Sequence, residues 1–239
     1  MCHLKLVIQV KYQSTNEPEI LIDEQKIQKQ QIRVKNKKLY LISKRFIDII
    51  FSIIGIISLL IPIFFIVAFF IKIEDRKGPV IFKQLRVGEN GKTFEIYKFR
   101  SMITNAEGFK LLLAHQNEAS GPVFKMKQDP RVTKVGRFLR KTSLDELPQL
   151  LNVLRGEMSL VGPRPPLLEE VEQYTSYERQ RLSVTPGLTC YWQVSGRSNI
   201  GFEQWVEMDL KYINERNLFV DSILILKTIF VLFGSKDAY

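Results

Sequence analysis

The stretch IIFSIIGIISLLIPIFFIVAFFIKI, residues 49–73, is apolar apart from small residues, one proline and one lysine. As an α-helix rising 1.5 Å per residue it would reach about 35 Å, enough to cross the hydrocarbon core of a bilayer. About forty-five mostly polar residues precede it and no small-residue cleavage pattern follows, which disfavours a secretory signal peptide. The sequence therefore predicts a helix embedded in a membrane.

Two topologies compete for this helix: an ordinary span kinked by proline, and a re-entrant hairpin broken at Pro62. Pro62 lacks an N–H and would clash with the carbonyl of Ser58, so a sharp bend is expected, and the Ser58 hydroxyl can satisfy a freed backbone group. Since basic flanks stay on the cytoplasmic side, the charges at both ends favour the hairpin. These flanking residues are Arg33, Lys35, Lys37, Lys38, Lys44 and Arg45 before the segment, and Lys72, Arg76 and Lys77 after it.

Composition narrows the class of partner. The chain has 239 residues and a formal net charge of +10, which suits one domain with its own core plus a membrane segment and favours anionic partners without choosing among them. Two cysteines and two histidines disfavour a disulfide framework and a Cys/His zinc site, and they point to a reducing compartment. Any metal is therefore expected to be a hard ion held by carboxylate.

After the apolar stretch, VIFKQLRVGENGKTFEIYKFRSM, residues 80–102, predicts two strands joined at Asn90-Gly91, because both positions accept positive φ. Lys98 and Arg100 at the end of the second strand suit either a solvated strand end or a site for anions. A helix is predicted over residues 106–115, followed by a loop around Gly121-Pro122.

The stretch DPRVTKVGRFLRKTSLDELPQ, residues 129–149, carries basic side chains spaced to lie on one helical face, Arg137, Arg140 and Lys141. On charge alone this is a solvated face touching anionic lipid. The acidic pair Asp145-Glu146 that follows directly favours a site for a phosphorylated substrate instead.

The acidic pair itself has two interpretations. Ser143 to Glu146 matches a capping box, in which Glu146 caps a helix and Asp145 complements its dipole. Pro148 favours a helix that starts near Leu147, with both carboxylates just outside its positive end. In either position the carboxylates stay ionised and can hold Mg²⁺, and one can attack phosphorus while the metal and nearby arginines neutralise phosphate oxygens.

Two later segments can supply phosphate and nucleotide contacts. Residues 162–166, GPRPP, hold the Arg164 guanidinium between prolines, which suits binding of a diphosphate, although a purely structural loop is the alternative. Residues 186–198, PGLTCYWQVSGRS, carry turn glycines, aromatic residues and Arg197, consistent with a loop closing on a nucleotide or sugar.

The motifs KFRSM (98–102), residues 129–165 and PGLTCYWQVSGRS occur together in an order that resembles the bacterial sugar transferase family, the monotopic phosphoglycosyl transferases. The resemblance runs from about Lys44 to the C-terminus. It implies transfer of a sugar 1-phosphate from a UDP-sugar, expected to be UDP-glucose or UDP-galactose, to undecaprenyl phosphate, with release of UMP in a two-step reaction that needs Mg²⁺. It also implies a role in the first membrane step of exopolysaccharide, capsule or glycoconjugate biosynthesis, at the cytoplasmic face of the bacterial inner membrane.

Carried over by motif, the resemblance makes Asp145 the nucleophile and a magnesium ligand, and Glu146 its partner. One departure concerns the membrane helix, because relatives of minimal architecture place Ser directly before the proline and this chain has Ile61. How the kink is stabilised is therefore open. The residues expected to bind substrate or its phosphates are Lys98, Arg100, Arg140, Arg164, Arg197 and Asp221.

The expected architecture is α+β and mainly helical, with the re-entrant helix broken at Pro62, the hairpin around Asn90-Gly91 and amphipathic helices lying at the membrane interface. The expected division is a basic leader (1–43), a re-entrant helix-hairpin (44–73) and a cytosolic catalytic domain (74–239). Residues 218–233 are too short for a comfortable second crossing and predict an interfacial helix. Larger members of the family carry extra N-terminal membrane helices and a further domain, so a catalytic module alone is expected here.

Other functions remain in competition at this stage. A UDP-N-acetylhexosamine is the alternative donor, a metal-dependent phosphatase could use the same carboxylates, and a bitopic protein could bind nucleic acid through its basic domain. The resemblance favours UDP-sugar, polyprenyl phosphate and membrane lipid as partners, and no nucleic acid. It leaves the sugar and a homodimer open.

Overall fold

The computed structural model describes residues 9–11, 19–21, 32, 34, 37–195 and 200–234. The chain divides into two units, Met1–Ile32 and Arg33–Tyr239. In the first unit, strand β1 (Gln9–Lys11) pairs antiparallel with strand β2 (Glu19–Leu21). The second unit contains the apolar helix and the remaining described elements.

The apolar stretch lies in one continuous helical run, Lys38–Glu74, which consists of α1 (Lys38–Gly55), a π-helical turn (Ile56–Leu60) and α2 (Ile61–Glu74). Among the described residues it is the one helix long and apolar enough to cross a membrane. We call this run the apolar helix.

The helical geometry changes just before Pro62. The π-helical turn ends at Leu60, and Pro62 lies in the first turn of α2. The Ser58 hydroxyl donates to the Ile54 carbonyl at 2.7 Å, so it satisfies a backbone group one turn earlier in the helix. π-Helical turns are a known place for helices to bend. The re-entrant bend at Pro62 stays a prediction.

The first half of the apolar helix turns a polar face to the rest of its unit. Lys44, Asp48 and Ser52 are spaced four residues apart, so they lie on one side of α1, and all three are buried. Lys44 forms an ion pair with Asp221 at 2.8 Å, and Asp48 accepts a hydrogen bond from the Leu160 N–H at 2.9 Å. Polar contacts thus hold α1 against the domain, while its other side exposes large apolar side chains.

The second half of the helix is held by apolar packing and by its last residue. The buried cluster formed there consists of Leu60, Val67, Ile71, Phe99 and Leu139. The Glu74 carboxylate accepts from the N–H groups of Lys134 and Val135 at 2.7 and 3.0 Å. Both ends of the apolar helix therefore contact the same unit.

The predicted hairpin is confirmed. β3 (Ile81–Val87) pairs antiparallel with β4 (Thr93–Phe99). In the connecting turn Asn90 has φ of 54° and Gly91 has φ of 80°, the positive values for which these residue types are suited.

The helix predicted over residues 106–115 is wrong. That segment is a series of turns closed by short-range bonds, such as Gly108 N–H to Asn105 O and Lys110 N–H to Glu107 O, each 3.0 Å, and it ends in a 3₁₀ turn, Ala114–Gln116. Leu111 and Leu112 are 84% and 68% exposed, so no packed surface supports an α-helix of this length.

The segment that contains the acidic pair begins with α3 (Lys134–Thr142), whose cap Thr133 accepts from the Gly136 N–H at 2.9 Å. α3 ends at Ser143, which has φ of 55° and makes no side-chain cap. A 3₁₀ helix (Leu144–Gln149) and then α4 (Leu150–Arg155) follow. The capping box and the helix start near Leu147 are therefore both wrong, because Ser143 adopts a left-handed conformation instead of the extended one that a cap requires.

The remainder of the unit is mainly helical, as predicted, with a second small sheet. β5 (Ser159–Val161) pairs parallel with β6 (Gly187–Thr189). The helices are α5 (Leu168–Glu172), α6 (Ser176–Arg179), α7 (Tyr191–Val194), α8 (Phe202–Glu215) and α9 (Leu218–Gly234). In α9, Leu224 is buried while Phe219 and Phe230 are exposed. The interfacial position predicted for this helix stays a prediction.

Candidate active site

Asp145 and Glu146 lie in the first turn of the 3₁₀ helix, which packs against β4. Lys98 from β4 forms an ion pair with Glu146, with Nζ and Oε1 2.7 Å apart. Asp145 is 93% buried and forms no ion pair with another described residue. The two neighbouring carboxylates therefore have different surroundings.

The surroundings shift the two pKa values in opposite directions. Burial raises the pKa of Asp145, and the charge of Glu146 adds to the rise, while Lys98 and Arg140 oppose it. Burial acts in the same sense on Glu146, but Lys98 and Arg164 outweigh it and hold that pKa low. Carboxylates separated in this way are typical of sites where one group reacts and the other stays ionised.

Arg140 is the residue of α3 that faces the acidic pair. Its Nε donates to the Ser101 hydroxyl at 3.0 Å. Burial lowers its pKa and the negative charge of Asp145 raises it again. Arg137 and Lys141, from the same predicted basic face, are exposed. The structure thus separates Arg140 from the residues with which it was expected to stack.

Arg164 projects from a proline-rich segment whose main chain is fixed on both sides. The carbonyls of three prolines accept hydrogen bonds: Pro163 from the Gly187 N–H at 2.9 Å, Pro165 from Arg86 Nη1 at 3.1 Å and Pro166 from the Val87 N–H at 2.9 Å. The Arg164 guanidinium makes no hydrogen bond or ion pair with any described residue, and its positive charge lowers the pKa of Glu146. A rigid segment therefore presents this guanidinium beside the acidic pair.

Lys98, Arg140 and Arg164 are the predicted substrate residues that the structure brings to Asp145 and Glu146. Arg100 is buried and donates to the Asp75 carboxylate and carbonyl at 2.9 and 2.7 Å, where the apolar helix ends. A phosphate-binding role for Arg100 stays a prediction without support from this position.

Asp221 is engaged elsewhere. It accepts from Lys44 at 2.8 Å, from the Tyr40 hydroxyl at 2.9 Å and from the Tyr212 hydroxyl at 2.8 Å, and these contacts connect α9 to α1 and to α8. Its predicted role near the substrate is likewise not supported by its contacts. Arg197 lies outside the described residues.

Two basic residues near Arg164 were not singled out from the sequence. Burial and the charge of Arg164 lower the pKa of Arg86 to about 10 and that of Lys125 to about 8. Arg86 resembles any basic residue of a half-exposed strand, and Lys125 lies in an irregular loop, so no local pattern identified either one.

The described residues suit Mg²⁺ that is held by one carboxylate together with the substrate. Among the described residues no group of three or more His, Cys, Asp or Glu could hold a metal. Mg²⁺ is often bound by one or two carboxylates together with substrate phosphates and water. Asp145, which has no ion-pair partner among the described residues, suits that arrangement better than an all-protein metal site.

Comparison with known proteins gives a family model and related sequences. The model for bacterial sugar transferases matches residues 39–235. The galactosyl transferase CpsE of Streptococcus agalactiae is 50% identical over 196 residues, which cover 81% of this chain and 42% of CpsE. The undecaprenyl-phosphate galactose phosphotransferase of Salmonella typhimurium is 44% identical over 202 residues, which cover 82% of this chain and 42% of that protein.

A shorter relative matches over most of its own length. The exopolysaccharide production protein ExoY of Sinorhizobium fredii is 41% identical over 202 residues, which cover 83% of this chain and 88% of ExoY. By contrast, the chain spans about two fifths of the length of CpsE and of the Salmonella typhimurium phosphotransferase. The residues matched by the family model include the acidic pair and the basic residues around it.

Proposed function

We propose, because this chain belongs to the bacterial sugar transferase family, that it transfers a sugar 1-phosphate from a UDP-sugar to undecaprenyl phosphate. One observation carries the proposal: Asp145 is buried beside Arg140 without an ion pair to any described residue, and its neighbour Glu146 is held by Lys98 and lies near the charge of Arg164. A carboxylate in this environment can attack a phosphorus atom whose oxygens are neutralised by the cations.

The first proposed step is attack by an Asp145 carboxylate oxygen on the sugar-linked phosphorus of the donor. The bond from this phosphorus to the bridging oxygen breaks, UMP leaves with that oxygen, and the sugar phosphate becomes an acyl phosphate on Asp145. In the second step an oxygen of undecaprenyl phosphate attacks the same phosphorus. Asp145 regains its carboxylate, and the product is a sugar linked to undecaprenyl diphosphate.

The two carboxylates have different proposed roles. Asp145 keeps a basic, reactive carboxylate because burial disfavours its charge, whereas the ion pair with Lys98 leaves Glu146 ionised and fixed. Arg140 and Arg164 neutralise the phosphate oxygens that would otherwise repel the attacking anion. When bound by Asp145 and the substrate phosphates, Mg²⁺ would supply further neutralisation of this charge.

Galactose and glucose are the sugars favoured for transfer. Relatives are named as an undecaprenyl-phosphate galactose phosphotransferase and as a UDP-glucose:undecaprenyl-phosphate glucose-1-phosphate transferase, the latter 41% identical in Escherichia coli. The exopolysaccharide production protein ExoY supports a role at the start of exopolysaccharide synthesis. A UDP-N-acetylhexosamine remains the alternative donor.

The proposed location is the cytoplasmic face of the bacterial inner membrane, with the apolar helix re-entering on that face. The re-entrant topology is supported by contacts at both ends of the apolar helix. Lys44 near its start and Glu74 at its end both contact other elements of the second unit. A straight span would have to carry one of these contacts across the bilayer. Exposed apolar side chains along the helix, among them Phe46, Phe65 and Phe69, are suited to lipid.

The test is nucleotide release from a panel of UDP-sugars, measured with the purified protein, undecaprenyl phosphate and Mg²⁺. Continuous release of UMP should appear with one sugar and only when the lipid is present, whereas without the lipid the first step should release no more than one equivalent of UMP per protein molecule. Asp145→Asn should abolish release without altering folding, and the matched change Glu95→Gln, in an exposed ion pair with Lys83, should have no effect. Continuous release beyond one equivalent without the lipid would indicate a hydrolase, and near-normal turnover by Asp145→Asn would remove the proposed mechanism.

A further inference from the structure

Ser101, two residues after the end of β4, binds the residue of α3 that faces the acidic pair. Its hydroxyl accepts a hydrogen bond from Arg140 Nε at 3.0 Å. Ser101 is buried, so little water competes for this contact. A hydrogen bond from a charged group is stronger than one between neutral groups, and a guanidinium forms it in a fixed plane. The contact therefore restricts the orientation of the Arg140 side chain.

The backbone of the same serine holds the start of α3. The Ser101 carbonyl accepts from the N–H of Thr133, the cap of α3, at 3.1 Å. A side chain at Gly136 would collide with the Ser101 carbonyl, so glycine is what lets the helix approach this closely. Positions 133, 136 and 140 recur at helical spacing, so one face of α3 lies against Ser101. The helix and the Arg140 side chain are thus fixed to one residue.

The neighbours of Ser101 are fixed as well. The Arg100 guanidinium donates to the carboxylate and the carbonyl of Asp75 at 2.9 and 2.7 Å. On the other side, Met102 forms an antiparallel β-bridge with Val132. Because both neighbours are held, the Ser101 hydroxyl is a rigid acceptor for the arginine of α3.

The contact with Ser101 leaves the terminal nitrogens of Arg140 available. In the part of the chain that the structure describes, Nη1 and Nη2 make no hydrogen bond or ion pair. The Asp129 carboxylate, whose charge also acts on Arg140, is engaged by Arg131 through Nε at 2.9 Å and Nη2 at 2.7 Å. A guanidinium held by Nε presents its two other nitrogens as a fork that matches two phosphate oxygens.

The chain turns directly from α3 to the acidic pair. The Arg140 carbonyl accepts from the Ser143 N–H at 3.1 Å, where α3 ends and the 3₁₀ helix begins. Asp145 follows two residues later, and its negative charge acts most strongly among the charges on Arg140. The fork of Arg140 is therefore close to the proposed nucleophile.

We propose that Ser101 is a positioning residue, which accepts from Arg140 Nε and so directs the remaining nitrogens of that guanidinium to the phosphate that Asp145 attacks. The inference rests on the proposed function and deepens it. Ser101 acts through Arg140 alone. Without the hydrogen bond the guanidinium would be free to rotate, and its charge would be less well placed when negative charge develops on the phosphate oxygens.

A double-mutant cycle tests whether Ser101 acts through Arg140. UMP release is measured with the full-length protein, the UDP-sugar, undecaprenyl phosphate and Mg²⁺. Ser101→Ala should lower kcat about tenfold and leave KM for the UDP-sugar nearly unchanged, because the oriented charge is used in the transition state. Arg140→Lys keeps the charge but has a methylene where arginine has Nε. Adding Ser101→Ala to Arg140→Lys should therefore cause no further loss.

Two further variants are the controls of this cycle. Ser101→Thr keeps the hydroxyl and should stay within about twofold of the unaltered protein. Ser222→Ala removes an exposed hydroxyl that donates to the Leu218 carbonyl at 2.8 Å, and it should match the unaltered protein. If Ser101→Ala fails to fold, Ser101→Cys replaces it, because sulfur has a similar size and is a weak acceptor.

A second measurement follows the contact itself and needs no substrate. In protein with isotope-labelled arginine, the NMR signal of the Arg140 Nε–H is identified by its absence in Arg140→Lys. This proton should exchange slowly with water in the unaltered protein and in Ser222→Ala, and quickly in Ser101→Ala, because a hydrogen bond protects it.

The outcomes separate the positioning role from the proposed function. An equal loss from Ser101→Ala in the unaltered and the Arg140→Lys backgrounds would show that Ser101 acts independently, and would overturn the proposal. Rapid exchange of the Arg140 Nε–H in the unaltered protein would overturn it too, as would a loss of activity in Ser101→Ala with slow exchange retained. If no UDP-sugar yields UMP, the proposed function fails and the catalytic role of the contact with it, even where slow exchange establishes the contact.

Discussion

Asp145 and Glu146 are adjacent in the chain, yet their surroundings make them chemically different. Burial dominates at Asp145 and raises its pKa, whereas Lys98 and Arg164 overcome burial at Glu146. An acidic pair is easily recognised in the sequence, but the distribution of burial and charge between its members depends on β4 and on the segment containing Arg164, which are distant in the chain. The family resemblance predicted different roles for the two carboxylates, but the burial and charge that make their surroundings differ could not be read from the local sequence.

A pH profile tests this division at the level of one residue. Asp145 must be ionised to attack, so kcat/KM should fall as pH decreases through its raised pKa. Lys98 lowers the pKa of Asp145, so Lys98→Met should raise that pKa further and move the acid limb of the profile to higher pH. Lys83→Met, which alters an exposed ion pair, should leave the limb in place. An unmoved or more acidic limb in Lys98→Met would contradict the assignment.

At the scale of elements, the parallel pair β5 and β6 sets the position of Arg164. Gly187 in β6 lies so close to the backbone of Val161 and Gly162 that any side chain would collide with it. This approach lets the Gly187 N–H donate to Pro163, directly before Arg164. Glycine and proline in the sequence indicated a rigid loop, but the strand it packs against starts more than twenty residues later and could not be inferred locally.

Gly187→Ala should therefore displace the segment that carries Arg164. The clash is with backbone atoms that cannot rotate away, so we expect a loss of about 1–3 kcal/mol of stability and a rise in KM for the UDP-sugar. Thermal unfolding and steady-state kinetics measure the two effects. Gly108→Ala is the matched control, because a side chain there meets only the Asn105 carbonyl at 3.5 Å. Normal KM and stability in Gly187→Ala would show that the close approach does not matter.

At the scale of the whole second unit, one surface of the apolar helix binds the domain and the other exposes apolar side chains. The domain-facing surface carries Lys44, Asp48 and Ser52 in the first half and Val67 and Ile71 in the second. A helix held along its length by one domain cannot also place its two ends in separate compartments without carrying that domain into the bilayer. This arrangement favours the re-entrant topology.

Cysteine labelling tests that topology. Gln30→Cys and Lys92→Cys, each made in a Cys2→Ser background, place one thiol before the helix and one on the hairpin turn; Cys190 is buried and can stay. A membrane-impermeant maleimide should label neither position in intact cells and both after lysis. Labelling of only one of the two positions in intact cells would establish a spanning helix, and labelling of both would reverse the expected orientation of the re-entrant helix.

Sequence alone determined what depends on neighbouring residues: the apolar helix, the hairpin turn at Asn90-Gly91, the rigid proline segment around Arg164 and the acidic pair. It misjudged residues 106–115 and the start of the helix near Asp145, because a helical tendency needs a packed surface that local sequence does not show. Tertiary structure decided the rest, bringing Lys98, Arg140 and Arg164 to the acidic pair and turning Arg100 and Asp221 toward the apolar helix. The physical reason is that charge and burial act through space, so they depend on which distant elements pack together.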